Sequence, residues 1–196
     1  MRMFAMLLIT MATMASANAQ DIYDLQGKNE KVDVEKELSK AERKALQARI
    51  DSIQWQEALQ AMRDTTFTLE ADQVIFKYGH RAYVSSTTNF VTVNKKRATL
   101  QVAFNVPVSG PNGMGGITLD GNVSNYKIET NKKGKFTMLT LNVNGVAISS
   151  QLFIKIYDGS DKAQVDVRPN FNSHRISLSG RIIPKSQSFI VKGTSI

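Results

Sequence analysis

The chain has 196 residues, no cysteine, two histidines and a formal net charge of +8, with 42% of its residues hydrophobic. Without cysteine there are no disulfides, thiol nucleophiles or thiolate metal sites, and the lipobox thiol of a bacterial lipoprotein is missing. The positive charge is uneven: residues 65–196 hold 16 Lys and Arg against 7 Asp and Glu, whereas residues 20–64 hold 8 against 10.

The first segment has three parts. Arg2 precedes an apolar run from Met3 to Met14, broken only by Thr10 and Thr13, and Ala17-Asn18-Ala19 follows. A charged start, a short apolar run and small residues before a cleavage point form the pattern of a secretory signal peptide. The run is shorter than the roughly 20 apolar residues that span a bilayer. Residues 1–19 are therefore expected to be a signal peptide cleaved after Ala19, with the product periplasmic or secreted. The 177 residues that remain suit one domain with its own core. Outside the cytoplasm a basic surface rarely meets nucleic acid, so none is expected. The expected partners are an anionic envelope component, such as lipid headgroups or acidic polysaccharide, or a protein.

Residues 20–38 are polar, charged and aperiodic, as a tether would be. Ser39-Lys-Ala-Glu42 matches a capping box, in which the Ser hydroxyl and the Glu carboxylate satisfy each other's backbone N–H groups. Leu46, Ile50, Ile53, Ala58, Leu59 and Met62 then recur at helical spacing, which predicts one amphipathic helix over residues 39–63 with a continuous apolar stripe. Trp55 stands at the stripe's edge as a packing anchor.

From Thr65 the period changes to two. Phe67/Leu69, Val74/Phe76/Tyr78 and Val91/Val93 suggest strands, and Ala98 to Val106 alternates throughout. Residues 163–168 and 175–182 alternate as well. Asn144-Gly145 predicts a type I′ hairpin turn, which needs positive φ at both central residues. Asn131–Gly134 and Asp158–Asp161 supply similar turn chemistry. The fold class expected is mainly β: an antiparallel meander of about eight or nine strands, as an up-and-down barrel or a two-layer sheet, with one N-terminal amphipathic helix. A transmembrane barrel would need a lipid-facing apolar side on every strand and aromatic girdles, which these strands lack. The domain is expected over residues 39–192, with 193–196 as a C-terminal tail.

One strand face stands out. Thr99, Gln101, Ala103 and Asn105 lie opposite Leu100 and Phe104 and carry no charge in a basic domain. An uncharged face suits a covered surface, because burying a charge costs far more than burying an amide that finds a partner. The expected cover is the 39–63 helix, a ligand or a partner chain.

No motif carries catalysis. The glycine-rich Gly110–Gly116 segment lacks the Lys-Ser/Thr and the following helix of a phosphate loop, and reads as a wide loop. His80 and His174 sit in turn-like contexts without metal-ligand spacing. Glu70 and Asp72 face one side of a strand, as glycosidase carboxylates do, yet nothing further marks them. Lys95–Arg97 and Lys132–Lys135 read as solvated or edge-guarding turns. No metal or cofactor is expected. The loops dense in Asn, Gly and aromatic residues are the candidate ligand-facing positions: Asn89, Phe90, Asn112, Gly113, Asn122, Asn125, Asn170, Phe171 and Asn172. The expectation is an exported, non-catalytic binding or interaction module, the alternative being an envelope hydrolase of glycans or lipids acting through His80 or His174.

Segments 67–72, 84–91, 110–118 and 120–126, with Pro169-Asn-Phe-Asn172 and Ile176-Ser-Leu-Ser-Gly180, together resemble DUF4251, a domain-of-unknown-function family of exported bacterial proteins. The likeness covers about residues 40–192. It implies export and one domain, and it supplies no activity, ligand or catalytic residue.

N-terminal sequencing of the protein recovered from its native envelope is expected to begin at Gln20. Recovery of intact Met1 in the cytosolic fraction would refute export.

Overall fold

In a computed structural model, residues 39–76, 78–103, 116–131, 133–170 and 175–195 are described. Helix α1 is Lys40–Arg63. Nine strands follow: β1 Thr66–Ile75, β2 Arg81–Tyr83, β3 Phe90–Asn94, β4 Arg97–Ala103, β5 Gly116–Thr130, β6 Phe136–Asn144, β7 Ser149–Tyr157, β8 Lys162–Pro169 and β9 Ile176–Pro184. A short 3-10 turn, Lys185–Gln187, precedes the C-terminal segment. All pairings are antiparallel, and from β3 to β9 each strand lies beside its chain neighbours. β1 pairs with β3 on one side and with β9 on the other, from Phe67↔Pro184 to Ile75↔Ser177. That second pairing closes β1 and β3–β9 into a barrel of eight strands, and β2 adds only to the end of β1.

The period-two pattern explains the core. On β6 Leu139, Leu141 and Val143 point inward, on β7 Leu152, Ile154 and Ile156, and on β8 Ala163, Val165 and Val167. Eight strands enclose a space that side chains can fill, so the interior is packed rather than hollow along most of its length. Ala58, Ala61 and Met62 from α1 join the same core, and Trp55 packs against it as expected. The Tyr126 hydroxyl donates to the Met62 carbonyl oxygen. Burial of that ring pushes the Tyr126 pKa up from its ordinary value.

Four expectations change. First, the apolar stripe of α1 is not buried throughout: Leu46, Ile50 and Ile53 are 48%, 38% and 57% exposed. Only the last turns reach the barrel, where α1 meets β1 and β9. Second, Phe67/Leu69 and Val74 belong to one strand, with a bulge between Ala71 and Gln73. Phe76 and Tyr78 lie beyond its end, where the chain turns: the Phe76 N–H donates to His80 O, the Gly79 N–H to Phe76 O, and Gly79 takes φ +83°.

Third, Asn144-Gly145 is not a type I′ turn, since neither residue has positive φ. The connection runs from Gly145 to Ile148, with the Gly145 N–H donating to the Ile148 carbonyl. Glycine is required for closeness instead: a Cβ there would lie 2.5 Å from Leu119 Cδ1 and 2.8 Å from Ile148 O. Fourth, the uncharged face of β4 is covered, yet not by the helix. Thr99, Gln101 and Ala103 are buried, under residues 85–89 and the C-terminal segment. Phe104, Asn105 and Val106, expected in the same strand, lie outside the described residues.

The closing seam leaves no room at Gly180, where an added Cβ would stand 1.9 Å from the Glu70 carbonyl oxygen and 2.7 Å from Ala71 Cα. Gly180→Ala is expected to destabilise the protein by about 1–3 kcal/mol through backbone displacement at the seam. Urea unfolding measures it, and an unchanged midpoint would contradict the tight β1–β9 contact.

Candidate functional site

Among the described residues, the loop positions singled out by composition do not gather in one place. Asn89 and Phe90 are buried at the start of β3. Asn89 Nδ2 donates to Ser85 O and Thr88 Oγ1, and its Oδ1 accepts from the Ala103 N–H at 2.8 Å. The side chain thereby ties Ala103 of β4 to the 85–89 turn. Asn122 and Asn125 lie exposed on β5, where Asn125 takes φ +53° at the bulge between Ser124 and Lys127. Asn170 is exposed after β8, its N–H donating to Ser149 O. Asn112, Gly113, Phe171 and Asn172 lie outside the described residues.

A residue not singled out alone organises the covered face. Gln101 is fully buried, and its amide is saturated. Nε2 donates to Thr88 O at 2.9 Å and Val191 O at 2.8 Å, while Oε1 accepts from Thr118 Oγ1 at 2.9 Å and the Gly193 N–H at 2.8 Å. Residues 188–193 are held across the outside of the barrel as a strap. Val191 N–H donates to Thr87 O, Ser188 Oγ to Glu70 Oε1, and Lys192 Nζ pairs with Asp120. Arg97 also binds Asp120, at 2.7 Å. Partial desolvation raises the Asp120 pKa, but Lys192 and Arg97 outweigh it and leave the carboxyl below its ordinary value.

Among the described residues, the barrel interior is most open at the end where Ala103 of β4 pairs with Gly116 of β5. Most core residues elsewhere are fully buried, whereas Leu100 and Val102 keep 7% and 8% exposure and inward-facing Ile117 is 44% exposed. A pocket of about 150 Å³ lies there, lined by Leu100, Val102, Gly116, Ile117, Leu119, Ile148, Ser150, Val167, Pro169 and Ile176. Its wall is almost wholly apolar, with the Ser150 side chain as the one side-chain polar group among those residues. Such a pocket can take one small ring or a short aliphatic group, and it offers nothing that activates a nucleophile.

The two carboxylates on β1 lie elsewhere. Glu70 and Asp72 line a polar groove of about 720 Å³ between α1, β1 and β9, along with Asp51, Asp161, Lys162 and Arg181. Glu70 is already engaged by Ser188. His80 is exposed in the β1–β2 turn, its carbonyl accepting from Phe76 N–H, and His174 lies outside the described residues. Among the described residues no three His, Asp or Glu side chains gather as a metal site. Among them, too, no helix is long and apolar enough to cross a membrane.

The family profile described as Domain of unknown function (DUF4251) matches residues 49–182. The chain belongs to this family. A crystal structure at 1.95 Å of a DUF4251 family protein from Bacteroides eggerthii DSM 20697 is similar, at 43% identity and a TM-score of 0.63. The similarity covers 72% of this chain and 94% of that one. No protein of curated function matches the chain. In this DUF4251 protein the matched region runs from within α1 to within β9, so the residues lining the apolar mouth and Gln101 itself fall within it, while Val191 and Gly193 of the strap lie beyond it.

Gln101→Leu removes four hydrogen bonds and strands the strap's carbonyl and N–H groups, so stability is expected to fall by about 2 kcal/mol or more. Chemical denaturation checks this, and a neutral effect would show that the strap is not held through Gln101. The Asp120 contribution has the opposite pH sense from a histidine switch. Its folded pKa is lowered, so the stabilisation is complete above the unfolded value of about 4 and is lost as pH falls through the folded value. Its partners Arg97 and Lys192 are 60% and 44% exposed, which limits the effect to below about 1 kcal/mol. Asp120→Asn is expected to remove that part of the acid dependence.

Proposed function

We propose that this DUF4251 protein is an exported, non-catalytic binding module of the cell envelope whose barrel mouth receives a small apolar group. The observation that carries this reading is the exposed, inward-facing Ile117 at the rim of an apolar pocket. A barrel of eight strands is wide enough to hold one small ligand when its side chains do not fill it. Burial of apolar surface in such a mouth contributes about 25 cal/mol per Å² before the cost of association. An acyl end or a single ring matches a pocket of about 150 Å³. The export half of the proposal is supported by the charged start, apolar run and Ala17-Asn18-Ala19 site.

Methyl NMR of the mature protein titrated with hexanoate tests the mouth. Saturable shifts are expected at Ile117, Leu119, Ile148 and Ile176, and Ile117→Trp, which fills the rim, should weaken binding at least tenfold. Shifts that appear instead at exposed Leu46, Ile50 and Ile53 of α1, or no saturation, would overturn it. The same preparation should show no turnover of ester or glycan substrates. Turnover abolished by His80→Ala would replace the proposal with a hydrolase.

A further inference from the structure

Away from the mouth, the outer face of β6–β8 has an unusual make-up for a solvated strand surface. Phe136 stands opposite Tyr157 and Phe153 opposite Asp166, while Gln151 sits between Asn142 and Arg168. Lys155 Nζ lies 4.1 Å from the Phe136 ring centroid and 5.2 Å from that of Tyr157, and Arg168 Cζ lies 4.4 Å from that of Phe153. Among the described residues neither cation makes an ion pair. The acid on this face, Asp166, is occupied by the Ser177 hydroxyl and Gln164 Nε2. Asn142 Oδ1 is buried without a hydrogen-bond partner. α1 packs on β1 and β9, and the strap is held to β1, β4 and β5, so neither covers this face.

Flat rings, side-chain amides and unpaired cations on one rigid surface form a specific set of complements. The rings accept the C–H face of a sugar, the amides bind adjacent hydroxyl groups, and the cations bind carboxylates with charge-assisted hydrogen bonds. Lys155 and Arg168, which pairs with Gln151 of β7, lie about 14 Å apart along the strand direction at roughly 3.4 Å per residue, so a chain of sugars rather than one can engage both. We propose that the outer face of β6–β8 binds an acidic polysaccharide, with Lys155 and Arg168 on its carboxylates and the exposed Tyr157 ring against one of its sugars. Phe136 and Phe153 are half-buried beneath Lys155 and Arg168, while Tyr157 is exposed at the end of β7. This inference does not use the barrel mouth and stands independently of it.

Affinity electrophoresis of the mature protein in gels containing sodium alginate, a polyuronate, tests the proposal against neutral dextran. Retardation by alginate and none by dextran is expected. The Lys155→Gln/Arg168→Gln variant should bind alginate at least tenfold more weakly. A Lys95→Gln/Lys96→Gln variant at the β3–β4 tip, with the same loss of charge, should stay within twofold of wild type. Tyr157→Ala keeps the net charge and should cost at least threefold. Tyr157 is 44% exposed at a strand end, so this variant decides the matter if the double variant fails to fold. Equal losses from the two double variants, an unaffected Tyr157→Ala, or absence of retardation would overturn the proposal. So would preferential binding to phosphatidylglycerol vesicles in a parallel sedimentation assay.

Discussion

The antiparallel contact between the first long strand and the last is the constraint on which the other features rest. Seven consecutive strand pairings from β1 through β3 to β9 would leave an open, curled sheet with two unpaired edges. The register from Phe67↔Pro184 to Ile75↔Ser177 removes both edges at once. It also fixes which residues face inward. On β1, Phe67, Leu69, Ala71 and Val74 keep to the interior despite the bulge. At Gly180 on β9 the two backbones meet with no room for a side chain between them. Closure creates the interior whose end becomes the mouth, and the convex outside on which the strap and the β6–β8 face lie.

Charge and polarity are partitioned around that cylinder. Inside, the wall is apolar up to the rim at Ile117. Outside β3–β5, polar groups are buried but satisfied, with Gln101 taking part in four hydrogen bonds and Thr68 donating to Thr92. Outside β6–β8, Lys155 and Arg168 lie over aromatic rings. A buried amide is tolerated because each of its donors and acceptors finds a partner, which a Lys or Arg in the same place would not. The absence of charge at Thr99, Gln101 and Ala103 thus fits their cover by the strap and residues 85–89.

Much of this was legible in the sequence. Strict alternation marked β4, β8 and β9, and the change from period 3.6 to two placed the boundary between α1 and β1. The local pattern could not show that the sheet closes, since the β1–β9 pairing joins residues at opposite ends of the domain. The bulge at Asp72 made one strand look like two, because an inserted residue breaks the alternation. Asn144-Gly145 carried turn chemistry, but packing of Gly145 against Leu119 set the backbone instead. The cover over Thr99 and Gln101 was inferred from missing charge, yet its identity depended on residues 188–193, which have no periodicity. For the candidate site, composition pointed to Asn-rich loops, several of which do structural work as Asn89 does. The mouth was hidden because an inward residue at a rim has the same alternation as one in the core.

The β1–β9 seam joins residues more than a hundred positions apart, and this governs how the chain can acquire its structure. Helices and hairpins such as β6–β7 can form from neighbouring residues on the microsecond scale. The cylinder cannot close until β9 is available, and the loop-closure entropy is paid before the seam contributes any contacts. A chain emerging from its N-terminus therefore holds β1 with one open edge and with Phe67 and Leu69 unburied until nearly all of it is present. The strap can bind only after that, since Val191 and Gly193 come later still. Assembly is consequently expected to be late, cooperative and slow relative to a helical bundle of this size.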